Sequence, residues 1–97
     1  MTIDMASQVV RPSSIPWAPL GDEAAMLDAA RGKYVLLNEM GAFIWARLEH
    51  PMRVSDLCAD VERAFDVSPT QCAAEVLAFL QRLEARDLVT VVTQAGA

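Results

Sequence analysis

The chain has 97 residues, 54% of them hydrophobic, and a formal net charge of −5. This length holds one domain with a single core, and the hydrophobic content is well above that of disordered chains. An acidic chain without a concentrated basic face is unsuited to a phosphate backbone, so we expect no nucleic acid partner. No uncharged segment approaches the roughly 18 residues that cross a bilayer and no secretory signal is present, which predicts a cytoplasmic protein with no membrane partner.

The order of the chain predicts three parts. They are a flexible N-terminal arm at 1–13, a single domain at 14–93 and a frayed C-terminus at 94–97. The arm shows no sustained hydrophobic period, although residues 9–11 are able to add a short strand.

Two prolines mark the start of the predicted domain. Pro16 and Pro19 flank Trp17. Because proline lacks the N–H that a sheet ladder uses, any strand here is short or lies at a sheet edge. Large aromatic side chains are mostly buried, so we expect Trp17 to cover the core rather than to line a recognition groove.

A β-hairpin is predicted next. Residues 24–28 and 33–37 are short apolar segments, and the second is rich in residues that favour strands. The sequence Ala-Ala-Arg-Gly joins them, and Gly32 is the one residue of these four that adopts the left-handed conformation without steric cost. One more short strand is predicted near the end of the chain, at 87–93.

Two helices follow the hairpin. The first begins after Asn38, whose side-chain oxygen is suited to capping, and runs to about residue 49. His50-Pro51 ends it, because the residue before proline is disfavoured in the helical region. The second helix spans 54–65 and places its apolar residues on one stripe.

The third helix carries the clearest capping signal in the chain. Ser68 is its N-cap, Pro69 occupies the first helical position and Gln71 occupies the capping-box position. The helix extends to about residue 86, and its apolar face is wider than the ~100° that one core contact requires. Either this face is buried on two sides or part of it awaits a partner.

The sequence contains no pattern typical of an active site. There is no glycine-rich phosphate loop, no metal-ligand cluster and no nucleophile with a suitable base. The single histidine, His50, lies at a helix boundary, and Cys58 and Cys72 lack the short spacing of a metal site or a disulfide framework. We therefore predict a non-enzyme without metal or cofactor, in which both cysteines are reduced, as small hydrophobic residues or as lightly exposed helix residues.

Several motifs, each weak alone, occur in an order and spacing that resemble one family. They are residues 23–28 (EAAMLD), 31–38 (RGKYVLLN), 41–45 (GAFIW), 54–57 (VSDL), 65–67 (FDV), 76–83 (VLAFLQRL) and 87–89 (DLV). The pattern resembles the PqqD-like family, the peptide chaperones of pyrroloquinoline-quinone biosynthesis, and its relatives, the stand-alone RiPP recognition elements. The resemblance covers about residues 22–92. Val35 stands where the family has a second aromatic residue, and Asp87 stands where it has a glycine.

The resemblance implies an α+β, winged-helix-like fold in which an N-terminal three-stranded antiparallel sheet packs on three helices. It implies a non-catalytic adaptor that binds the leader segment of a ribosomally synthesised precursor peptide and delivers it to a peptide-modifying enzyme or leader peptidase, with the lasso-peptide type favoured. The leader adds as an antiparallel strand beside residues 33–37, and its side chains enter a cleft walled by the last helix. The implied peptide-binding residues are Lys33, Tyr34, Val35, Leu36, Leu37, Val76, Phe79, Leu80 and Leu83.

Strand alternation divides the first of these segments into two faces. Val35 and Leu37 are expected to face the helices, and Tyr34 and Leu36 are expected on the outer side. Plain core packing is the alternative role for each predicted peptide-binding residue.

Three other functions stay open at this point. Within the same fold, the chain would be the quinone chaperone, which partners a radical S-adenosylmethionine enzyme. A winged-helix DNA-binding regulator would need a basic recognition helix, and the third helix is not basic. A dimerisation module would pair the same sheet edge with its own copy, giving a homodimer.

Overall fold

The structure, a computed structural model, describes residues 3–92. In chain order the elements are β1 (Gln8–Val10), β2 (Trp17–Leu20), β3 (Glu23–Asp28), β4 (Lys33–Leu37), α1 (Glu39–Arg47), β5 (Met52–Arg53), α2 (Val54–Ala64), α3 (Pro69–Ala85) and β6 (Thr90–Val92). The predicted α+β fold, with a three-stranded antiparallel sheet on three helices, is confirmed, and "winged-helix-like" describes it loosely. The predicted frayed end at 94–97 lies outside the described residues.

The strands form two antiparallel sheets. The first has the order β2-β3-β4 and corresponds to the sheet predicted from the sequence. The second has the order β5-β1-β6 and joins strands that are distant in the chain. The sequence suggested β1 and β6 as short strands but gave no indication that they pair with each other.

The hairpin between β3 and β4 forms as predicted. Gly32 adopts a φ of +65°, the left-handed conformation that glycine tolerates best. Asp28, only 3% exposed, accepts hydrogen bonds from the backbone N–H of Arg31 at 3.3 Å and from its guanidinium at 3.2 Å. The same guanidinium donates to the carbonyl of Arg86 at 3.2 Å, so the hairpin is joined to the end of α3.

The expectation that residues 1–13 are a flexible arm is wrong for the part that the structure describes. Ile3 and Val9 are buried in the core, and β1 is the central strand of the second sheet. The carbonyls of Met5 and Ser7 accept the N–H groups of Ser55 and Val54 at 3.0 and 2.9 Å. These are backbone donors at the start of α2, where Arg53, the N-cap residue, does not cap the helix with its side chain.

Arg11 explains why α1 ends earlier than predicted, at Arg47 rather than near residue 49. The backbone N–H of Arg11 donates to the carbonyl of Leu48 at 2.9 Å, and its guanidinium donates to the carbonyl of Trp45 at 2.8 Å. The last carbonyls of a helix have no partner within the helix. Here a distant segment supplies the donors, and local sequence contains no sign of it.

The predicted N-caps are confirmed. Asn38 Oδ1 accepts the N–H of Gly41 at 2.8 Å, and Ser68 Oγ accepts the N–H of Gln71 at 3.2 Å. The second half of the capping box, in which the Gln71 side-chain oxygen would accept the Ser68 N–H, is not formed, and the Gln71 Nε2 donates to Glu75 at 2.7 Å.

The core lies between the helices and the inner faces of the two sheets. Both cysteines are buried in it as free thiols, as predicted. Burial, with the nearby Cys72 as a smaller cause, raises the pKa of the Cys58 thiol to about 11. Burial likewise raises the pKa of Cys72. Both thiols are therefore protonated at neutral pH and are poor nucleophiles.

Helix α3 ends in a Schellman motif without the usual glycine. The N–H of Leu88 donates to the carbonyl of Leu83 at 2.9 Å, and the N–H of Asp87 donates to the carbonyl of Glu84 at 3.0 Å. Leu83 and Leu88 are both buried, which supplies the hydrophobic contact of the motif. Asp87 adopts a φ of +59°, so the residue that replaces the family's glycine is held in the left-handed region.

Replacing Asp87 with glycine is expected to stabilise the protein. A side chain in the left-handed conformation costs about 1 kcal/mol, somewhat less for aspartate, and glycine removes that cost. Chemical denaturation should show Asp87→Gly raising the free energy of unfolding by about 0.5 kcal/mol. The control is Arg86→Gly, where φ is −105° and glycine adds only flexibility, so this variant should be less stable. Equal destabilisation by both changes would contradict the assignment of strain to Asp87.

Candidate functional site

Strand β4 lies at the edge of its sheet and leaves one side of its backbone unpaired within the described residues. The N–H of Leu27 donates to the carbonyl of Pro16 at 2.9 Å, so the polar groups of Leu27 point towards β2. Opposite residues in an antiparallel pair alternate between bonded and non-bonded positions. Because Leu27 is opposite Tyr34, the N–H and C=O of Tyr34 point away from β3, towards the open edge.

The same alternation fixes the other positions of β4. Lys33, Val35 and Leu37 direct their backbone groups into the ladder with β3, whereas those of Leu36, like those of Tyr34, point outwards. The open edge therefore presents two N–H donors and two C=O acceptors at the spacing of a sheet ladder.

Side-chain burial agrees with the two predicted faces of β4. Tyr34 and Leu36 are 75% and 74% exposed on the outer face. Leu37 is 5% exposed and Val35 is half-buried, and both pack against the core on the inner face. By strand alternation Lys33 lies on the inner face with Val35 and Leu37, but it is exposed because it is at the hairpin end of the strand.

The opposite edge of the sheet is less suited to pairing. On β2 the outward positions are Trp17 and Pro19, by the same alternation, and Pro19 carries no N–H. Proline is a common means of protecting an edge strand from association. Of the two edge strands described in this sheet, β4 is thus the one in which every outward-facing residue has a backbone N–H to donate.

A cavity of about 240 Å³ adjoins the end of β4, between α1 and α3. It is lined by Asn38, Met40, Gly41, Glu75, Ala78, Phe79 and Arg82. The residues from α3 recur at three- and four-residue intervals, which places them on one face of the helix. This face is mixed, with an aromatic ring and a small residue between two side chains of opposite charge.

The cleft wall predicted on α3 needs correction. Val76, Leu80 and Leu83 are buried in the core, because this face of α3 packs against the rest of the hydrophobic interior. Of the four residues predicted from α3, only Phe79 lines the cavity. The fully buried residues of α3 form one stripe, and Leu77 and Phe79 are half-buried beside it, which makes the apolar face wide. The exposed stripe that includes Glu75, Ala78 and Arg82 was missed. In the sequence this stripe is a repeat at three- and four-residue intervals whose members are charged, small and aromatic, so a search for hydrophobic repeats does not find it.

Gly41 allows α1 and α3 to approach closely at the base of the cavity. A Cβ atom added at Gly41 would lie 3.3 Å from Asn38 Oδ1, 3.3 Å from Phe79 Cε1 and 3.4 Å from Leu37 Cβ. The two distances of 3.3 Å are shorter than most van der Waals contacts of a Cβ atom. The position therefore joins the helix cap, the edge strand and the aromatic wall, and only a residue without a side chain fits without displacement.

Trp17 lies on the other side of the sheet from the β4 edge. It is 37% exposed, and the Arg11 guanidinium stacks 5.0 Å from its ring centroid and 5.5 Å from that of Trp45. Trp17 also lines a separate cavity with Phe43 and Phe65. It therefore neither covers the β4 edge nor lines the cavity beside it.

Within residues 3–92 no three histidine, cysteine or acidic side chains are grouped as a metal site requires. In that same part of the chain no helix is long and apolar enough to cross a membrane.

Two comparisons with known proteins bear on this geometry. The family of coenzyme PQQ synthesis protein D (PqqD) matches residues 23–89, and the chain belongs to this family, as predicted. A solved structure described as TbiB1 in complex with the TbiA(beta) leader peptide is similar, with a TM-score of 0.76 and 21% sequence identity. The similarity covers 88% of this chain and 99% of that one, and it establishes a shared fold. No curated protein matches the chain.

The crowding at Gly41 predicts that alanine there brings no net stabilisation. Alanine in a helix is favoured over glycine by about 1 kcal/mol, but the added Cβ must displace Phe79 or Asn38. Denaturation of Gly41→Ala should show an unfolding free energy equal to or below that of the wild type, with shifted ring resonances for Phe79. The neighbouring Ala42→Gly relieves no such contact and should lose about 1 kcal/mol or more, from helix propensity and from the partly buried methyl group. A gain of about 1 kcal/mol in Gly41→Ala would show that the contact is not restrictive.

Proposed function

We propose that this protein is a non-catalytic adaptor that binds the leader segment of a ribosomally synthesised precursor peptide. The leader adds as an antiparallel strand at β4, and the adaptor delivers it to a maturation enzyme. The single observation that carries this proposal is the outward direction of the backbone groups of Tyr34 and Leu36 beside an open cavity. Membership in the PqqD family, and the fold shared with a protein solved with a leader peptide, support it.

The register of β4 defines how an added strand would lie. The peptide residues opposite Tyr34 and Leu36 exchange main-chain hydrogen bonds with the edge. These bonds contribute affinity that does not depend on the peptide's side chains. Its residues opposite Lys33, Val35 and Leu37 direct side chains to the helix side of the sheet, where the cavity against α3 lies. We refer to the space between the β4 edge and the exposed stripe of α3 as the groove.

The adaptor needs no chemistry of its own, because its work is to hold an extended backbone in one register. Cleavage or cyclisation belongs to the partner, a leader peptidase or peptide-modifying enzyme in the cytoplasm. A lasso-peptide system is the preferred setting, as the sequence resemblance implies, and a protein of the same fold was solved with a leader peptide. The second candidate is the quinone chaperone that partners a radical S-adenosylmethionine enzyme, which the description of the matching family favours. The precursor that binds distinguishes the two.

A homodimer is the competing use of the same edge. Two copies of β4 are able to pair antiparallel, since an unpaired edge is a template for any strand. In that case a peptide and a second copy compete for the backbone groups of Tyr34 and Leu36, and peptide binding converts dimer to monomer.

Replacing Leu36 with proline tests strand addition directly. Proline removes an outward donor and places its ring in the path of the incoming strand, while the ladder with β3 does not use this N–H. Loss of one hydrogen bond with added steric conflict should weaken binding at least about tenfold. The measurement is fluorescence polarisation with labelled peptides encoded by the small reading frames that adjoin this gene, and circular dichroism checks the fold.

The matched control is Leu36→Ala, which keeps the N–H and removes only an outer side chain. It should retain most of the wild-type affinity. Wild-type affinity in Leu36→Pro would refute strand addition at β4. Absence of binding by every neighbouring peptide would refute the adaptor function itself.

A further inference from the structure

Three basic side chains in this acidic protein have no partner within residues 3–92. The chain has eight lysines and arginines. Five of them make an ion pair, a hydrogen bond or a cation–π contact, namely Arg11, Arg31, Arg47, Arg53 and Arg63. Lys33, Arg82 and Arg86 make none of these contacts with the described residues.

Two of these cations, Lys33 and Arg82, lie towards one end of the groove. Lys33 begins β4 and lies on the same face of the strand as Val35 and Leu37, which face the helices. Arg82 lines the cavity from α3. Arg86 follows the last turn of α3 and lines a separate cavity with Pro16 and Leu27. Its carbonyl accepts the Arg31 guanidinium at 3.2 Å, which places the end of α3 beside the hairpin.

The other end of the groove carries the opposite charge. Glu75 lines the cavity near the start of α3. Glu39, in the first turn of α1, lines the separate cavity that contains Trp17. Neither carboxylate forms an ion pair among the residues that the structure describes. The groove is therefore positive at its hairpin end and negative at its α1 end.

An antiparallel occupant meets these ends in a fixed order. Its N-terminal part lies beside Leu37, near Glu75, and its C-terminal part lies beside Lys33. Side chains opposite Leu37, Val35 and Lys33 are two residues apart and all face the helices. The residue opposite Lys33 is therefore four positions C-terminal to the residue opposite Leu37.

We propose that the groove selects its peptide by charge order. This inference rests on the proposed leader binding. The preferred peptide has an apolar side chain opposite Leu37 and an acidic side chain four residues later, opposite Lys33 and within reach of Arg82. The net charge of −5 repels acidic peptides in general. Unpaired cations at one place in the groove therefore favour peptides with an acidic side chain at that position. Exposed charge pairs of this kind contribute more to register and selectivity than to total affinity.

The test uses a phage-displayed library of random 12-residue peptides selected on the full chain, followed by fluorescence polarisation of the selected peptides. Selected sequences should carry aspartate or glutamate four residues after an apolar position. Exchanging that acid for lysine should weaken binding about tenfold to the wild type. The double variant Lys33→Glu, Arg82→Glu should reverse this preference.

The matched control is the double variant Arg53→Glu, Arg63→Glu. It changes the net charge by the same amount outside the groove and should alter affinity by about twofold or less. Selected peptides without a preferred acidic position, or equal effects of the two double variants, would overturn charge selection. In that outcome the adaptor function still stands if Leu36→Pro abolishes binding. If no peptide is selected, or if binding survives Leu36→Pro, the proposed function fails and the charge order fails with it.

Discussion

The orientation of the backbone groups along β4 is the constraint on which the site depends. Strand β3 pairs on both sides, and the bond from Leu27 to Pro16 sets which of its residues face β2. That choice obliges Tyr34 and Leu36 to direct their N–H and C=O groups away from the sheet. A shift of one residue in this register would turn the apolar inner side chains outwards. Core packing of Leu37 therefore fixes the edge that a peptide would meet.

The edge is held in place by contacts that come from far away in the chain. The N-terminal segment donates to the end of α1 through Arg11 and accepts from the start of α2 through Met5 and Ser7. With these bonds the helix ends that adjoin the second sheet are satisfied. The sheet edge differs, because the outward groups of Tyr34 and Leu36 find no such partner among the described residues. An unpaired ladder beside an open cavity is what strand addition requires.

The parts of the fold that sequence predicted are those decided by neighbouring residues. Asn38 and Ser68 cap helices through groups three residues away, and Gly32 closes a turn through its own backbone freedom. The role of residues 3–11 was not predictable in this way, because the bonds that join it to α1 and α2 connect positions tens of residues apart. Hydrophobic spacing also marked Val76 as a cleft residue, since an apolar stripe does not reveal which of its members the core covers.

Half of the candidate site was accessible from sequence for the same reason. The alternation of β4 separates inner from outer side chains without any knowledge of the fold. The opposing wall depends on how α3 is rotated about its axis, which the packing of the helix decides. The wall consists of Glu75, Ala78, Phe79 and Arg82, whose exposure follows from the burial of their neighbours.

Amide hydrogen exchange measured residue by residue, with and without a bound leader peptide, tests the central claim most directly. Strand addition at β4 predicts that the N–H groups of Tyr34 and Leu36 exchange freely in the unbound protein and become protected in the complex. The N–H groups of Val35 and Leu37 already bond to β3 and should change little. Protection of Val35 in place of Leu36, or protection confined to β2, would contradict the account.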